Sequence, residues 1–452
     1  MLTIPQALRR LKGHLPETVP PALLEGICRD LRYAYRQRTL SPVVTTYLFL
    51  QQILHGNPAA NELRHLAGFE FTDAAYCQAR QRLPVGFFRR LLRAVTGTCR
   101  ADADPPDSRW HGHRIFLIDG SSFSMPDTPE LQETFGQPTG QAEGCGFPTA
   151  HLLTLFDAQT GYLLKALPAA LHTQDLAQAT LMHPELDRGD VLVGDRAFCS
   201  YAHLALCRRR GLHGLFRAHQ RQIIDFRPGR PHRAPGRAGR GQTGLPTSRW
   251  LKRLGKHDQL VEYVKPDECP TWMRASEYAA LPPTLRVREV RFRVREPGYR
   301  PYEITLVTTL LDPRRYKARA LAKLYHRRWV VETNLRHLKQ TLKMDILRCQ
   351  TVPGVVKELV VFVVVYNLVR RVMLEAAARQ GVLPDRISFV DALRWLRHAR
   401  PGDALRVLIV NPDRPGRVEP RVRKRRPKQF PLMKQPRAKL RQQLLHRKQH
   451  AA

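Results

Sequence analysis

The sequence predicts an α/β chain, and three stretches carry that prediction. RIFLIDGSS (114–122) sets four consecutive apolar residues, Ile115 to Ile118, ahead of Asp119-Gly120, the pattern of a buried strand that ends on an acid. DRGDVLVGDRAF (187–198) repeats it, with Val191, Leu192 and Val193 before Gly194-Asp195. RRYKARALAKLYHRRWVVETNLRHLKQTLKM (314–344) contains neither Gly nor Pro, follows Asp312-Pro313, and reads as one long helix. At the helical angle per residue, Tyr325, Arg328, Glu332 and Lys339 share an arc of about 60°. An apolar stripe of Leu324, Val331, Leu335, Leu338 and Leu342 lies beside them. Burying an unpaired charge at the end of a core strand is costly. Two such acids, with a third framed by cations on a helix, are suited to hold a metal and a phosphate. Each feature alone also has an ordinary reading: Asp-Gly turns are common, and charged helix flanks are often solvated faces.

The remaining elements follow in chain order. Residues 1–105 read as a helical N-terminal domain, with segments 5–12, 21–36 and 43–54 at helical spacing between Pro16, Pro20, Pro42 and Pro58. ADADPPDSR (101–109) is a polar linker. Residues 106–221 make the first part of the core. Within them HLLTLFDAQTGYLLKALP (151–168) is a hairpin around Asp157–Gly161, 172–182 a helix and 212–216 a strand. A hairpin, strands and helices with acids at two strand ends fit a ribonuclease-H-like α/β core. From 222 to 300 the pattern changes to a basic loop and strands. FRPGRPHRAPGRAGRGQTGLP (226–246) is a flexible basic loop without apolar periodicity. LVEYV (260–264) and LRVREVRFRV (285–294) are strands, the latter with one cationic face. Residues 301–380 resume the core with EITLVTTLL (303–311), the long helix and a buried apolar helix near 355–376. The most apolar run, Leu359 to Val369, is too short to cross a bilayer and ends at Arg370-Arg371. Residues 381–452 hold a helix over 393–403 and a basic C-terminal tail, Arg414 to Lys448, in which Glu419 is the only acid. Such a run is expected to be disordered where no polyanion covers it.

Lys and Arg number 75 against 39 acids, a formal net charge of +36, and a polyanion relieves that self-repulsion. Nucleic acid is therefore the leading partner, ahead of an anionic membrane surface. The start, MLTIPQALRRLKG, lacks the apolar core of a signal peptide. A cytoplasmic, nucleoid-associated chain with no membrane partner is expected. The eight cysteines are scattered without a CxxC pair, which favours reduced thiols over a zinc site or a disulfide framework.

The spacing Tyr-x2-Arg-x3-Glu-x6-Lys of Tyr325, Arg328, Glu332 and Lys339 resembles the Tyr-Arg-Glu-Lys (YREK) signature of the DDE transposases of the insertion sequence 4 family. Asp119-Gly120 and Gly194-Asp195-Arg196-x-Phe198 resemble that family's two aspartate segments. AAYCQARQRLP (74–84), Pro126-Asp127-Thr128 and RPGRVEPRVRKRRPKQFPLM (414–433) are similar to further family segments, and residues 222–300 resemble the β-rich insertion that interrupts the core in this branch. The resemblance implies catalytic carboxylates Asp119, Asp195 and Glu332 that hold two Mg²⁺ (or Mn²⁺) ions. It implies phosphate contacts from Tyr325, Arg328 and Lys339, and an N-terminal domain that helps bind the element's terminal repeats. Trp329 suits stacking on a base, or reads simply as a core Trp. Trp250 and Tyr302 are the insertion aromatics to consider for a flipped base. The implied activity is cut-and-paste transposition of double-stranded DNA: hydrolysis at the inverted repeats, then attack of the freed 3′-OH on target DNA or on the opposite strand, within a homodimeric synaptic complex. Two other readings stand beside it. One is a metal-dependent ribonuclease-H-like nuclease without strand transfer, the other a non-catalytic basic DNA-binding protein.

Overall fold

The computed structural model describes residues 19–101, 109–233, 244–294, 301–400, 402–412 and 433–450. Prolines open the first two helices of the described residues, α1 (Pro21–Asp30) and α2 (Pro42–Leu54), where the missing N–H has no intrahelical partner to lose. Ser41 caps α2 by accepting from the Val44 N–H at 3.3 Å, and every residue of α2 is buried. α3 (Leu63–Ala67), α4 (Asp73–Arg82) and α5 (Val85–Ala101) complete a helical N-terminal part. The predicted helix at 5–12 and most of the 101–109 linker lie outside the described residues.

The core strands are β1 (Ile115–Ser124), β2 (Thr149–Asp157), β3 (Leu163–Ala170), β4 (Val191–Gly194) and β5 (His213–Arg217). β1, β2 and β3 form an antiparallel meander, whereas β4 runs parallel to β1 and β5 parallel to β4. The predicted hairpin is the β2–β3 pair. Asp157 Oδ1 shapes its turn, accepting from the N–H groups of Gln159 and Thr160 at 2.9 and 2.8 Å. Parallel neighbours require crossovers. α6 (Pro129–Phe135), α7 (Asp175–Met182) and α8 (Tyr201–Arg209) lie in the segments between strands.

β6 (Ser248–Gly255), β7 (Asp258–Val264), α9 (Ala275–Ala279), β8 (Thr284–Val294) and β9 (Tyr302–Thr308) follow. The nine strands of the described residues join one sheet in the order β3-β2-β1-β4-β5-β9-β8-β7-β6, because β9 pairs with both β5 and β8. The 222–300 stretch therefore extends the core sheet, and residues 234–243 of its basic loop lie outside the described residues. The cationic face expected over 285–294 is only partly there. Arg286 and Arg293 are exposed, but Arg288 is 1 % exposed and paired bidentately with Asp258 at 2.8 and 2.5 Å. It also donates to the Tyr316 carbonyl at 2.6 Å. Strand alternation does not reveal such a partner.

The single helix expected over 314–344 is three pieces: α10 (Ala318–His326), α11 (Trp329–Arg336) and a π-helical turn, His337–Thr341. α12 (Val352–Gln380) is long and apolar enough to cross a membrane by length and composition, yet 78 % of its most apolar window is buried within the protein. Its polar residues mark it as a core helix. Asn367 exchanges two hydrogen bonds with the Leu163 backbone, both 2.9 Å, and Arg370 donates to the Thr160 carbonyl at 3.0 and 2.6 Å. Glu358 accepts from the Cys349 N–H and from Asn57 Nδ2, each at 2.8 Å, and so ties the core to the N-terminal helices. α13 (Phe389–His398), capped by Ser388, starts before and ends short of the predicted 393–403. Residues 413–432, most of the predicted basic tail, lie outside the described residues. Beyond them α14 (Arg437–His450) is helical, against the disorder expected for the whole run. Arg437 anchors it, pairing with Asp127 at 2.6 Å and lying 4.1 Å above the Phe147 ring.

Truncating one partner of a buried ion pair strands the other charge, at a cost of about 3–5 kcal/mol. Denaturant unfolding of Asp258→Ala should show a loss of that order, and the double variant Asp258→Leu/Arg288→Met should recover most of it.

Candidate active site

The parallel register of β1 and β4 decides where two of the acids go. Ile115, Phe116 and Leu117 pair with Val191, Leu192 and Val193. Continuing that register by two residues brings Asp119, midway along β1, beside Asp195, just past the carboxyl end of β4 and beyond the last parallel pair of the two strands. Gly194 permits the close packing: a Cβ there would lie 2.7 Å from the Phe198 ring and 2.9 Å from Ile118 Cγ2. Asp195 leaves the strand and caps the 3₁₀ turn Arg196–Phe198, its Oδ1 accepting from the Ala197 N–H at 2.8 Å. Asp119 remains in the strand. Its carbonyl accepts from Thr154 Oγ1 at 2.8 Å and its Oδ1 from the Gly120 N–H at 3.0 Å.

The third acid arrives on α11, which packs against β1. At the α10–α11 junction, Arg327, Arg328, Val330 and Val331 each donate to the carbonyl three residues back, at 3.0–3.1 Å, a 3₁₀-like tightening. Arg328 sits in that step. Its side chain is 12 % exposed and bridges Asp119 (Nη1 to Oδ2, 3.3 Å) and Glu332 (Nη2 to Oε1, 3.4 Å). Glu332 itself is 45 % exposed and open to an incoming ligand. The π turn then resets the helical register and delivers Lys339 Nζ to Ser121 Oγ at 3.2 Å, on the same face of β1 as Asp119. Burial lowers the proton affinity of Lys339, while Asp345 supports it.

Two of the expected contacts occupy different depths. Tyr325 is 4 % exposed, and burial pushes its pKa up; Arg328 and Arg217 oppose the rise and Asp195 adds to it. It lies under the site and faces Arg328. Trp329 stands at the rim, exposed, with the Arg328 guanidinium 5.1 Å from its ring centroid. Trp250 belongs to β6, the far edge of the sheet, and Tyr302 begins β9.

A family model described as "Transposase DDE domain" matches residues 110–368, more than half of the chain and a span that holds all of these groups. This chain belongs to the transposase DDE domain family. "Transposase InsG for insertion sequence element IS4" of Escherichia coli (strain K12) is 27 % identical over 382 residues, 79 % of this chain and 78 % of that protein. "Putative transposase InsZ" of the same organism is 29 % identical over 139 residues, 30 % of this chain and 46 % of its own length. A chain from the piggyBac transposase synaptic complex with hairpin DNA aligns at a TM-score of 0.41 and 11 % identity, covering 88 % of this chain and 80 % of that one. The protein is thus a DDE transposase, an enzyme that cuts and joins DNA.

In this transposase the acids crowd one another. Burial raises the Asp119 pKa to about 6; Arg328 opposes the rise, and the charges of Asp195 and Glu332 add to it. One guanidinium at 3.3–3.4 Å leaves three carboxylates undercompensated. A set of hard oxygen donors with surplus negative charge fits Mg²⁺ or Mn²⁺.

Other neighbours of the site were not read from the sequence. Asp175, the first residue of α7, and His151 of β2 approach to 2.7 Å, off hydrogen-bond alignment. They lie against Gly120, where a Cβ would come within 3.0 Å of Asp175 Oδ1 and 3.2 Å of His151 Cε1. The Gly after Asp119 was visible as a turn signal, but its strand role is to leave room for this pair. Ser121, the partner of Lys339, carried only the signal of following Asp-Gly.

The raised pKa sets a sign for stability. The folded state keeps the Asp119 proton up to about pH 6, whereas the ordinary value for the side chain is 3.8. The ionised carboxylate therefore costs stability above about pH 6, and the cost disappears below about pH 4. Asp119→Asn should unfold at a higher temperature than wild type at pH 7.5, by the equivalent of about 1–3 kcal/mol. The gap should close as the pH falls to 4. A gap that does not vary with pH would contradict the crowding.

Proposed function

We propose that this transposase moves its own insertion sequence by cut-and-paste transposition. It binds the terminal inverted repeats, hydrolyses the phosphodiester bond at each end and transfers the 3′-OH ends to target double-stranded DNA. The observation that carries the reading is the meeting of Asp119, Asp195 and Glu332 around Arg328, from the adjacent strands β1 and β4 and the helix α11. The order β3-β2-β1-β4-β5, with β2 and β3 antiparallel and β4 and β5 parallel, supports a ribonuclease-H-like core. The relative named for insertion sequence element IS4 supports the Tyr-Arg-Glu-Lys branch, with Tyr325, Arg328, Glu332 and Lys339 as its signature.

Asp119, Asp195 and Glu332 are the residues that would hold two Mg²⁺ or Mn²⁺ ions, which supply activation of the attacking oxygen and stabilisation of the leaving one. Arg328 neutralises part of the carboxylate charge before DNA arrives, and its fork suits a phosphate oxygen. Lys339, anchored on Ser121, holds a second phosphate. Tyr325 acts as a positioning residue beneath Arg328, and Trp329 offers its exposed face to an unstacked base. The net charge of +36 supports strong, salt-sensitive attraction to the DNA backbone. Bringing two transposon ends together calls for two protomers, hence a homodimer in the synaptic complex, working in the cytoplasm on nucleoid DNA.

End cleavage tests the reading. With a duplex carrying the element's terminal repeat and Mg²⁺, wild type should cut at the repeat boundary. Glu332→Gln should lose at least about 100-fold in rate while still shifting the duplex in a gel. Trp329→Ala should weaken the complex by about 1–3 kcal/mol if a base stacks there. Cleavage undiminished in Glu332→Gln would remove that carboxylate from the chemistry. Cutting with no joining to target DNA would favour a simple nuclease.

A further inference from the structure

A second group of metal-binding side chains lies away from the carboxylates. His183 stands in the 3₁₀ turn that follows α7, and His203 and Cys207 occupy one face of α8, four residues apart. All three are buried, at 2 %, 0 % and 0 % exposure. The two Nε2 atoms are 3.1 Å apart, Cys207 Sγ is 3.7 Å from His183 Nε2, and all three atoms fall within 4.8 Å of one another. Around a tetrahedral ion with bonds of about 2.0–2.1 Å to nitrogen and about 2.3 Å to sulfur, neighbouring ligand atoms stand roughly 3.3–3.6 Å apart. The spacings observed bracket that range.

Proton accounting points the same way. His203 Nδ1 lies 2.8 Å from the Phe198 carbonyl, so it carries the hydrogen and leaves a lone pair on Nε2 aimed at His183. A backbone carbonyl on the far nitrogen is also the usual support of a metal-bound histidine. A hydrogen on His183 Nε2 would then have to be shared between His203 Nε2 and the Cys207 sulfur, a weak acceptor. As a donor to His203 this nitrogen cannot accept from the Cys207 thiol; as an acceptor from the thiol it faces a second lone pair at 3.1 Å. Burial disfavours the imidazolium form of both rings, which keeps them neutral and able to ligate a cation. A cation satisfies all three atoms at once.

We infer that His183, His203 and Cys207 bind one divalent cation of the zinc class. Two imidazoles and a thiolate form a borderline-soft set, unlike the oxygen donors of the transposition site. Binding displaces the Cys207 proton to solvent and requires no redox change. The ion links the end of α7 to α8, the helix that follows Asp195, and so braces the backbone carrying that acid. This site is independent of the transposition chemistry proposed above.

The test uses the full-length, tag-free protein and two probes. After exhaustive dialysis against EDTA and addition of Zn²⁺, about one zinc per chain should remain after desalting. X-ray absorption at the zinc edge should show two nitrogens and one sulfur. Co²⁺ in place of Zn²⁺ should give a thiolate-to-cobalt charge-transfer band, lost in Cys207→Ala. The absorption experiment needs no variant, so it decides even if Cys207→Ala fails to fold. Retained zinc without sulfur in its shell, no retained zinc, or a cobalt band that persists in Cys207→Ala would each overturn the site. None of these readouts depends on DNA cleavage, and oxygen-bound ions at the three carboxylates give no thiolate band.

Discussion

Because β1 and β4 run parallel and in register, Asp119 and Asp195 emerge side by side, and their mutual repulsion in a half-buried place must be met from elsewhere in the chain. Arg328 meets part of it, with Glu332 drawn in as its second partner. A surplus of negative charge remains. That surplus, unfavourable for folding, is what attracts cations, so the same electrostatic imbalance is both a structural cost and the source of function.

Much of the surrounding architecture holds this arrangement. Gly194 lets Phe198 and Ile118 pack within the strand end, and Thr154 fastens the Asp119 carbonyl from the neighbouring strand. The 3₁₀-like step before α11 and the π turn after it set Arg328 and Lys339 at angles an unbroken helix would not give them. α12 locks the hairpin through Asn367 and Arg370, and the N-terminal helices through Glu358. Lys357 Nζ adds bonds to the carbonyls of Arg80 and Gln81 at 3.2 and 2.9 Å. The expected DNA-end-binding helices are thereby tied to the helix that buttresses the catalytic sheet.

The parts legible from sequence were those governed by local pattern. The apolar runs before Asp119 and Asp195 are strands, although β1 continues past the expected stop at Asp119-Gly120 to Ser124; the Asp157 turn marks a hairpin, and the Leu359–Val369 run is a buried helix. The parts that were not legible depend on partners distant in sequence. Residues 314–344 carry no helix breaker, so the tightening at Arg327–Arg328 cannot be inferred from composition. Arg288 looked like one member of a cationic face because Asp258, thirty residues away, could not be seen opposite it. Arg437 lies in a run whose charge predicts disorder, yet Asp127 and Phe147 hold it. Reading cysteines only by CxxC spacing overlooked Cys207, whose companions are one helical turn and one crossover away.

The most direct measurement of the central claim is iron-directed backbone cleavage. Fe²⁺ replaces Mg²⁺ in oxygen-ligand sites and, with ascorbate and peroxide, cuts the polypeptide next to the bound ion. If Asp119, Asp195 and Glu332 surround a common cation site, fragments should end near all three residues, and excess Mg²⁺ should suppress the three cuts together. Cuts confined to one of the three segments, or unaffected by Mg²⁺, would contradict the shared site.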